Sequence, residues 1–374
     1  MFKRRILIVD DSVVIRRSLS DALSRESDLE VVGSAPSGRI ALMKMAMIHP
    51  DVVALDVEMP EMDGLETLAA IRKDYSQTSV IMLNVSTDQS AAKTLDALTL
   101  GARDYVTKPN TGPGFDDVLR TFACELTSKI RVCCPDTSRG VPTRSSKDYI
   151  FPPKASFPTA ATDLAKRVDV LAIGVSTGGP NALMELIPQF PADFPVPILI
   201  VQHMPPIFTK LLAQRLAAKC KISVAEGSVG QKLLPGGAWI APGDFHMAVE
   251  REGDTVRIVT HQDPPENSCR PAADVLFRSV ARVYRSHGLA VVMTGMGKDG
   301  SRGCEQIYAA GGQVLVQDEA SSVVWGMPSF VVKAGVVDRI LPLNELSVEI
   351  LKRAWRFRPE KRLHVAGRPM GTRS

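Results

Sequence analysis

The chain has 374 residues, of which 45% are hydrophobic and 23% charged, with a formal net charge of +4. That length predicts two domains and that composition a folded globular chain, and no apolar run approaches the roughly 20 residues that cross a bilayer. Met1-Phe2-Lys3-Arg4-Arg5 runs straight into a strand rather than a secretory leader, and six cysteines without a CxxC pair suit reduced thiols, so a cytoplasmic location without membrane insertion is expected. The charge is uneven. Lys352 to Arg373 hold eight Lys or Arg against Glu360, a tail of +7 beside −3 for the rest. Such a tail can meet an anionic partner, but it lacks the signatures of a nucleic-acid reader, and no nucleic-acid partner is expected.

Arg5–Val9 reads as a buried strand ending in Asp10-Asp11-Ser12, whose Ser12 or Asp11 can cap the next helix. That helix should turn Val14, Ile15, Leu19, Ala22 and Leu23 inward. Strand Glu30–Gly33, helix Gly38–Ile48 and strand Asp51–Leu55 follow, the last ending at Asp56. The turn Met59-Pro60-Glu61-Met62-Asp63-Gly64 leads to helix Leu65–Lys73, strand Val80–Leu83, helix Ala91–Leu100 and strand Asp104–Val106, which ends in Thr107-Lys108-Pro109. Five alternations predict a doubly wound α/β domain.

Parallel sheets of this kind carry their chemistry at the carboxyl ends of the strands. Those ends hold Asp10, Asp11, Asp56 and Lys108. Three crowded carboxylates repel one another unless a cation joins them, and Mg2+, a hard ion held by carboxylates and water, is the expected one. One carboxylate can then accept a phosphoryl group, with metal and lysine balancing its oxygens. Helix capping and turn formation explain each acid singly, but not all four residues together.

With Val9-Asp10-Asp11-Ser12, Leu55-Asp56, Met59-Pro60, Asp63-Gly64 and Lys108-Pro109 in view, residues 1–123 resemble a response-regulator receiver domain. The resemblance implies Asp56 as phosphoacceptor, Asp10, Asp11, Asp56 and the Glu58 backbone carbonyl as Mg2+ ligands, and Lys108 at the phosphoryl group. The family's Ser or Thr after the fourth strand is displaced: strand pattern puts Asn84 there, ungapped counting from Lys108 puts Ser86 there. Either is the expected phosphoryl contact.

Residues 124–167 are expected to be a linker, with five prolines between 135 and 158 and little hydrophobic periodicity. A second domain spans 168–350, before the tail 351–374. Val168–Val175 reads as a buried strand, ending in Gly174-Val175-Ser176-Thr177-Gly178, the G-x-S-x-G pattern of a nucleophile on a sharp strand-to-helix turn. An ordinary glycine-rich loop is the plainer reading. Helix Asn181–Ile187 should aim its amides at the same spot. Strand Pro197–Val201 precedes His203, and helix Ile207–Ala217 follows. The pieces 223–225, 238–242, 246–249 and 256–259 read as antiparallel strands or hairpins. Helix Asp274–Tyr284 and strand Leu289–Thr294 lead to Asp299, then come helix Ser301–Ala309 and strand Gln313–Val316.

Ser176, His203 and Asp299 therefore each follow a strand end, where a serine, a base and an orienting acid can meet. His246 is a rival base. Gly295-x-Gly297-x-x-Gly300, with Asp318 and Glu319 about 20 residues on, also matches a dinucleotide fingerprint of comparable weight. Its place at the end of the domain counts against it.

Residues 168–350 resemble the catalytic domain of the chemotaxis protein-glutamate methylesterase (CheB) family, through Gly174–Gly179, Gln202-His203-Met204-Pro205, Ala241-Pro242-Gly243-Asp244 and Thr294–Gly300. The resemblance implies a Ser176, His203, Asp299 triad and the Met296 amide as oxyanion donor, in a Rossmann-like fold rather than an α/β-hydrolase. It implies a hydrolase that cleaves glutamate γ-methyl esters on chemoreceptors, and deamidates receptor glutamines, without a cofactor for the esterase step. Phosphorylation of Asp56 by a chemotaxis histidine kinase is expected to uncover the cleft, in a monomer. Cys269 departs from the family, which commonly has His before Arg270-Pro271. An inert phosphorylation-dependent binding module and a DNA-binding regulator are the alternatives from other classes; the chain has no helix-turn-helix signature for the second.

Overall fold

The computed structural model describes residues 3–85, 87–109, 115–134 and 167–358. The first unit runs β1 (Arg4–Val9), α1 (Val13–Leu23), β2 (Leu29–Ala35), α2 (Gly38–Ile48), β3 (Val52–Asp56), α3 (Gly64–Asp74), β4 (Ser79–Asn84), α4 (Asp88–Thr99), β5 (Asp104–Thr107) and α5 (Phe115–Cys133). Its strands are all parallel, in the order β2-β1-β3-β4-β5, the flavodoxin-like order. Ile6 to Val9 are each fully buried. Helices cover both faces of the sheet, so the strand is continuously apolar instead of alternating. Ser12 caps α1 through its hydroxyl, and Asp63 with Glu66 forms a capping box at α3.

Two expectations for this unit are corrected. Val14 is 58% exposed, because the buried stripe of α1 is Ile15, Leu19 and Leu23 and Val14 lies a turn of about 100° away from it. The expected linker also begins too early: α5 continues to Cys133. Phe122, Leu126 and Ile130 recur every four residues and are buried, with α5 packed against α1, β4 and β5, which binds this stretch to the sheet.

The second unit runs β6 (Val170–Val175), α6 (Gly179–Leu186), β7 (Ile198–Gln202), α7 (Pro206–Lys219), β8 (Ser223–Glu226), β9 (Gly237–Ile240), β10 (His246–Glu252) and β11 (Thr255–His261). It continues with α8 (Ala273–Tyr284), β12 (Gly288–Val292), α9 (Ser301–Ala309), β13 (Gln313–Gln317), α10 (Met327–Lys333), β14 (Arg339–Leu341) and α11 (Leu343–Trp355). Seven parallel strands lie in the order β14-β13-β12-β6-β7-β9-β8, so both units are doubly wound α/β sheets. The direction of winding reverses between β12 and β6, where such folds open their ligand crevice.

Only β10 and β11 form the antiparallel hairpin expected for the middle of this unit. β8 and β9 join the parallel sheet. β9 is buried at all four positions, the pattern of a strand covered on both faces, whereas β11 alternates. The expected tail also starts too early, because Arg353 in α11 is 5% exposed and bonds Glu349, Gln313 and Asp338. That arginine is paired inside the fold, not part of a solvated basic segment.

One apolar cluster runs from the first unit into the second, joining Leu95, Leu98 and Tyr105 to Phe208 and Leu212. Polar contacts flank it: Asn181 Nδ2 donates to Leu98 O at 2.7 Å, and Arg215 donates to Ala92 O at 2.6 Å and pairs with Asp96 at 2.9 Å. Among the described residues no helix is long and apolar enough to cross a membrane.

Candidate active site

Ser176 immediately follows β6. Its amide donates to Thr294 O at 3.0 Å, and its carbonyl accepts the Gly179 amide at 2.8 Å and Gln202 Nε2 at 3.0 Å. Two glycines make the turn possible. Gly178 has φ 77°, and a Cβ there would lie 2.6 Å from Val323. Gly295 passes so close that its Cβ would lie 2.8 Å from that of Ser176.

His203 follows β7, and its Nε2 lies 2.7 Å from Asp299 Oδ2. Asp299 is 1% exposed. Its Oδ2 also accepts the Ala273 amide at 2.6 Å, and its Oδ1 accepts the amides of Asp274 and Gly300, both at 3.0 Å, and Asn267 Nδ2 at 2.9 Å. Two of these amides open α8, so the helix dipole adds to the bonds. Burial would raise the Asp299 carboxyl, but the His203 hydrogen bond and charge, with the Ala273 and Asp274 amides, hold it below the usual range. Burial opposes a proton on His203, yet its hydrogen bonds to Asp299 and then with Cys269 raise its pKa. Cys269 Sγ lies 3.6 Å from His203 Nδ1, so the two ring nitrogens face Asp299 and Cys269.

Ser176, His203, Cys269 and Met296 line one cleft of about 420 Å³, and Leu98, Asp104, Tyr105 and Lys129 of the first unit line it too. Asp104 Oδ2 accepts the Thr177 hydroxyl at 2.8 Å, one residue from Ser176, and the Tyr105 ring stacks on Phe208 with centroids 4.4 Å apart. The rival base His246 is drawn away. It is 1% exposed, accepts the Ala272 amide on Nδ1 and bonds Pro264 O through Nε2, and burial lowers its pKa. These bonds make it a structural histidine.

The dinucleotide reading also fails on geometry. A Cβ on Gly326 would lie 2.6 Å from Gly295 O, so the chain already covers the loop where a pyrophosphate would sit. Asp318, the candidate ribose acid, is occupied by the Ser321 amide and hydroxyl at 3.0 and 2.6 Å.

In the first unit, Asp10 and Asp56 are essentially unexposed, and Lys108 Nζ lies 2.7 Å from Asp56 Oδ2 and 3.2 Å from Asp10 Oδ2. Ligand oxygens of Asp10, Asp11 and Asp56 fall within 4.8 Å of one another, a donor set suited to a hard divalent cation. The Ser12 amide bonds Asp10 at 2.8 Å, while the Glu58 amide reaches Asp56 only at 3.4 Å. Burial and then the Asp10 carboxylate push Asp56 up to about 7 against the Lys108 ammonium. Asn84 ends β4 fully buried, and its Nδ2 donates to Val85 O at 3.2 Å. Ser86 lies outside the described residues.

The chain matches the family model of the CheB methylesterase over residues 171–350 and that of the response regulator receiver domain over residues 6–118. A protein of Trichodesmium erythraeum (strain IMS101), named protein-glutamate methylesterase/protein-glutamine glutaminase, is 54% identical over 355 residues, which cover 94% of this chain and 99% of that one. The chain belongs to this methylesterase/glutaminase family. A relative of the same name from Nocardioides sp. (strain ATCC BAA-499 / JS614) is 45% identical over 356 residues, 95% of this chain and 96% of its own. The crystal structure of the Thermotoga maritima CheB methylesterase catalytic domain matches at 39% identity and a TM-score of 0.49, over 50% of this chain and 98% of that one. Sequence reasoning missed what surrounds the methylesterase cleft. Asn267, Asp274 and Asp104 carry no motif of their own, and the bond of Thr177 to Asp104 is not part of its motif, since these contacts arise only between folded loops.

Proposed function

We propose that this protein is a phosphorylation-activated esterase, which hydrolyses glutamate γ-methyl esters on chemoreceptors and deamidates receptor glutamines for chemotactic adaptation. The observation that carries this reading is the 2.7 Å His203–Asp299 bond in the cleft that Ser176 lines, at the reversal point of the sheet. Nε2 holds its proton toward Asp299, which leaves Nδ1 as the base. Ser176 Oγ attacks the ester carbonyl carbon as Nδ1 takes its proton. The oxyanion that forms is met by backbone amides, Met296 among them, and such a donor is worth about 2.7 to 4 kcal/mol. The imidazolium returns the proton to the departing methoxide, or to the departing amide nitrogen of a glutamine, and methanol or ammonia leaves. Water then attacks the acyl-enzyme, gives its proton to His203, and frees the glutamate side chain and Ser176.

The receiver roofs this cleft, and the Asp104–Thr177 bond ties β5 to the residue beside the nucleophile. Phosphorylation of Asp56, with a chemotaxis histidine kinase as donor, shifts the population toward an undocked receiver and an open cleft. Asp10, Asp11, Asp56 and the Glu58 carbonyl would hold Mg2+, which supplies charge neutralisation at the phosphoryl oxygens. Lys108 and either Asn84 or Ser86 contact the phosphoryl group.

The test is methanol release from methylated receptor membranes, with and without a small phosphodonor and Mg2+. Release should rise with the phosphodonor and vanish in Ser176→Ala. No release by phosphorylated wild type on a cognate receptor would overturn the enzyme reading.

A further inference from the structure

Cys269 has a partner that the other cysteines lack. Its Sγ lies 3.6 Å from His203 Nδ1, and the far nitrogen of that ring is held by Asp299 at 2.7 Å. The thiol is partly exposed and lines the same cleft as Ser176. Thiol, imidazole and carboxylate thus stand in line, the order that activates a cysteine nucleophile. Gln202, 2% exposed, lines the cleft as well. Its Nε2 donates to the carbonyls of Ser176 and His203, and its Oε1 has no hydrogen-bond partner among the described residues.

The remaining thiols are placed differently. Burial pushes Cys304, Cys133 and Cys134 up, and Cys220 up to about 11. Cys124 is exposed. A thiolate beside an imidazolium reacts with electrophiles far faster than a thiol without one.

We propose that Cys269 is an oxidant-sensitive modification site which shuts the esterase by capturing the base of Ser176. The thiol gives its proton to His203 Nδ1, and the thiolate sulfur attacks one oxygen of hydrogen peroxide. A sulfur–oxygen bond forms, the oxygen–oxygen bond breaks, and the leaving hydroxide takes the imidazolium proton to become water. Sulfur loses two electrons and peroxide gains them, giving a sulfenic acid. The new S–OH group sits on Nδ1 and fills the space the serine hydroxyl needs. Two equivalents of an added thiol reductant reverse the step, with release of water and the reductant's disulfide.

This inference rests on the esterase reading for its consequence but not for its chemistry, and the experiment separates them. The full-length protein, phosphorylated with a small phosphodonor and Mg2+, is exposed to hydrogen peroxide with dimedone as a sulfenic-acid trap. Labelled peptides are mapped by mass spectrometry. Parallel samples without dimedone are assayed for methanol release, each against its own untreated rate. Wild type should carry the label on Cys269 and lose about a hundredfold of its rate, the scale of a lost general base. Dithiothreitol should restore the rate in the samples without dimedone. Cys269→Ser and the family-like Cys269→His should keep their own untreated rates in peroxide. Label on Cys124 with none on Cys269 would overturn the proposal, and so would equal fractional inactivation of wild type and both variants. If untreated wild type releases no methanol, the esterase reading fails, while labelling still decides the chemistry of Cys269.

Discussion

Asp56 and Asp299 are both about 1% exposed, both lie at or beyond the carboxyl end of a parallel strand, and they titrate in opposite directions. Burial acts on each in the same sense, so the neighbours decide the sign. Asp299 accepts three backbone amides, the Asn267 side chain and a histidine ring. Asp56 receives one long amide bond and a lysine it shares with a second buried carboxylate. Under the proposed function, a site that must hold an imidazole through every turnover is built complete, and one that must take up a cation and a phosphoryl group is left short of positive charge.

The sharpest way to break this comparison is to remove charge from the complete site. Asp299→Asn keeps the shape, but an amide nitrogen in place of Oδ2 meets two donors, His203 Nε2–H and the Ala273 amide. The wrong tautomer then faces the cleft, and kcat should fall about 10⁴-fold, as in other serine triads. Methanol release by the phosphorylated protein measures it. A loss of less than about tenfold would mean that the bonds around Asp299 serve α8 rather than catalysis.

The incomplete site should respond the other way. The folded pKa of Asp56 is raised from 3.8 to about 7, so its favourable contribution is fully present below pH 3.8 and is lost as pH rises through 7. At about 1.4 kcal/mol per pKa unit, Mg2+-free protein at pH 8 carries a penalty on the order of a few kcal/mol there. Asp56→Asn should therefore raise the receiver's melting temperature in EDTA at pH 8, by about 3 to 5 °C for each kcal/mol relieved. The gain should shrink toward pH 4. Mg2+ should stabilise wild type at pH 8 more than at pH 5. An Asn variant less stable than wild type at pH 8 in EDTA would show that Lys108 already balances the cluster.

The contrast between the two aspartates also marks what was legible in the sequence. Acids after apolar strands, and a serine between glycines, announce themselves because strand ends and tight turns constrain residue type locally. Helix α5 and the parallel placement of β9 were missed, since both depend on which face a distant segment covers. Val14 was misplaced because apolar character alone does not fix a side of α1. Besides the adjacent Gly300 amide and the His203 ring, the donors to Asp299 arrive from α8 and the loop before it, about 25 to 32 residues away in sequence, and no spacing rule reaches that far.

The smallest expected effect concerns the seam that joins the two sites. Arg215 on α7 donates to Ala92 O and pairs with Asp96 on α4, well away from Ser176 and Asp56. Asp96 is about half exposed, so solvent screens the pair and it is worth about 1 kcal/mol or less. Arg215→Ala should weaken receiver docking by that amount and leave both the triad and the acid cluster untouched. Methanol release without phosphodonor should rise about two- to fivefold, the factor that corresponds to 0.4 to 1 kcal/mol in a docking equilibrium. The fully phosphorylated rate should stay the same, because the open population is already dominant there. A rise in both rates together would place Arg215 in substrate access instead of docking. No rise in the unphosphorylated rate would mean that the apolar contacts of Tyr105 with Phe208 hold the receiver down without help from this ion pair.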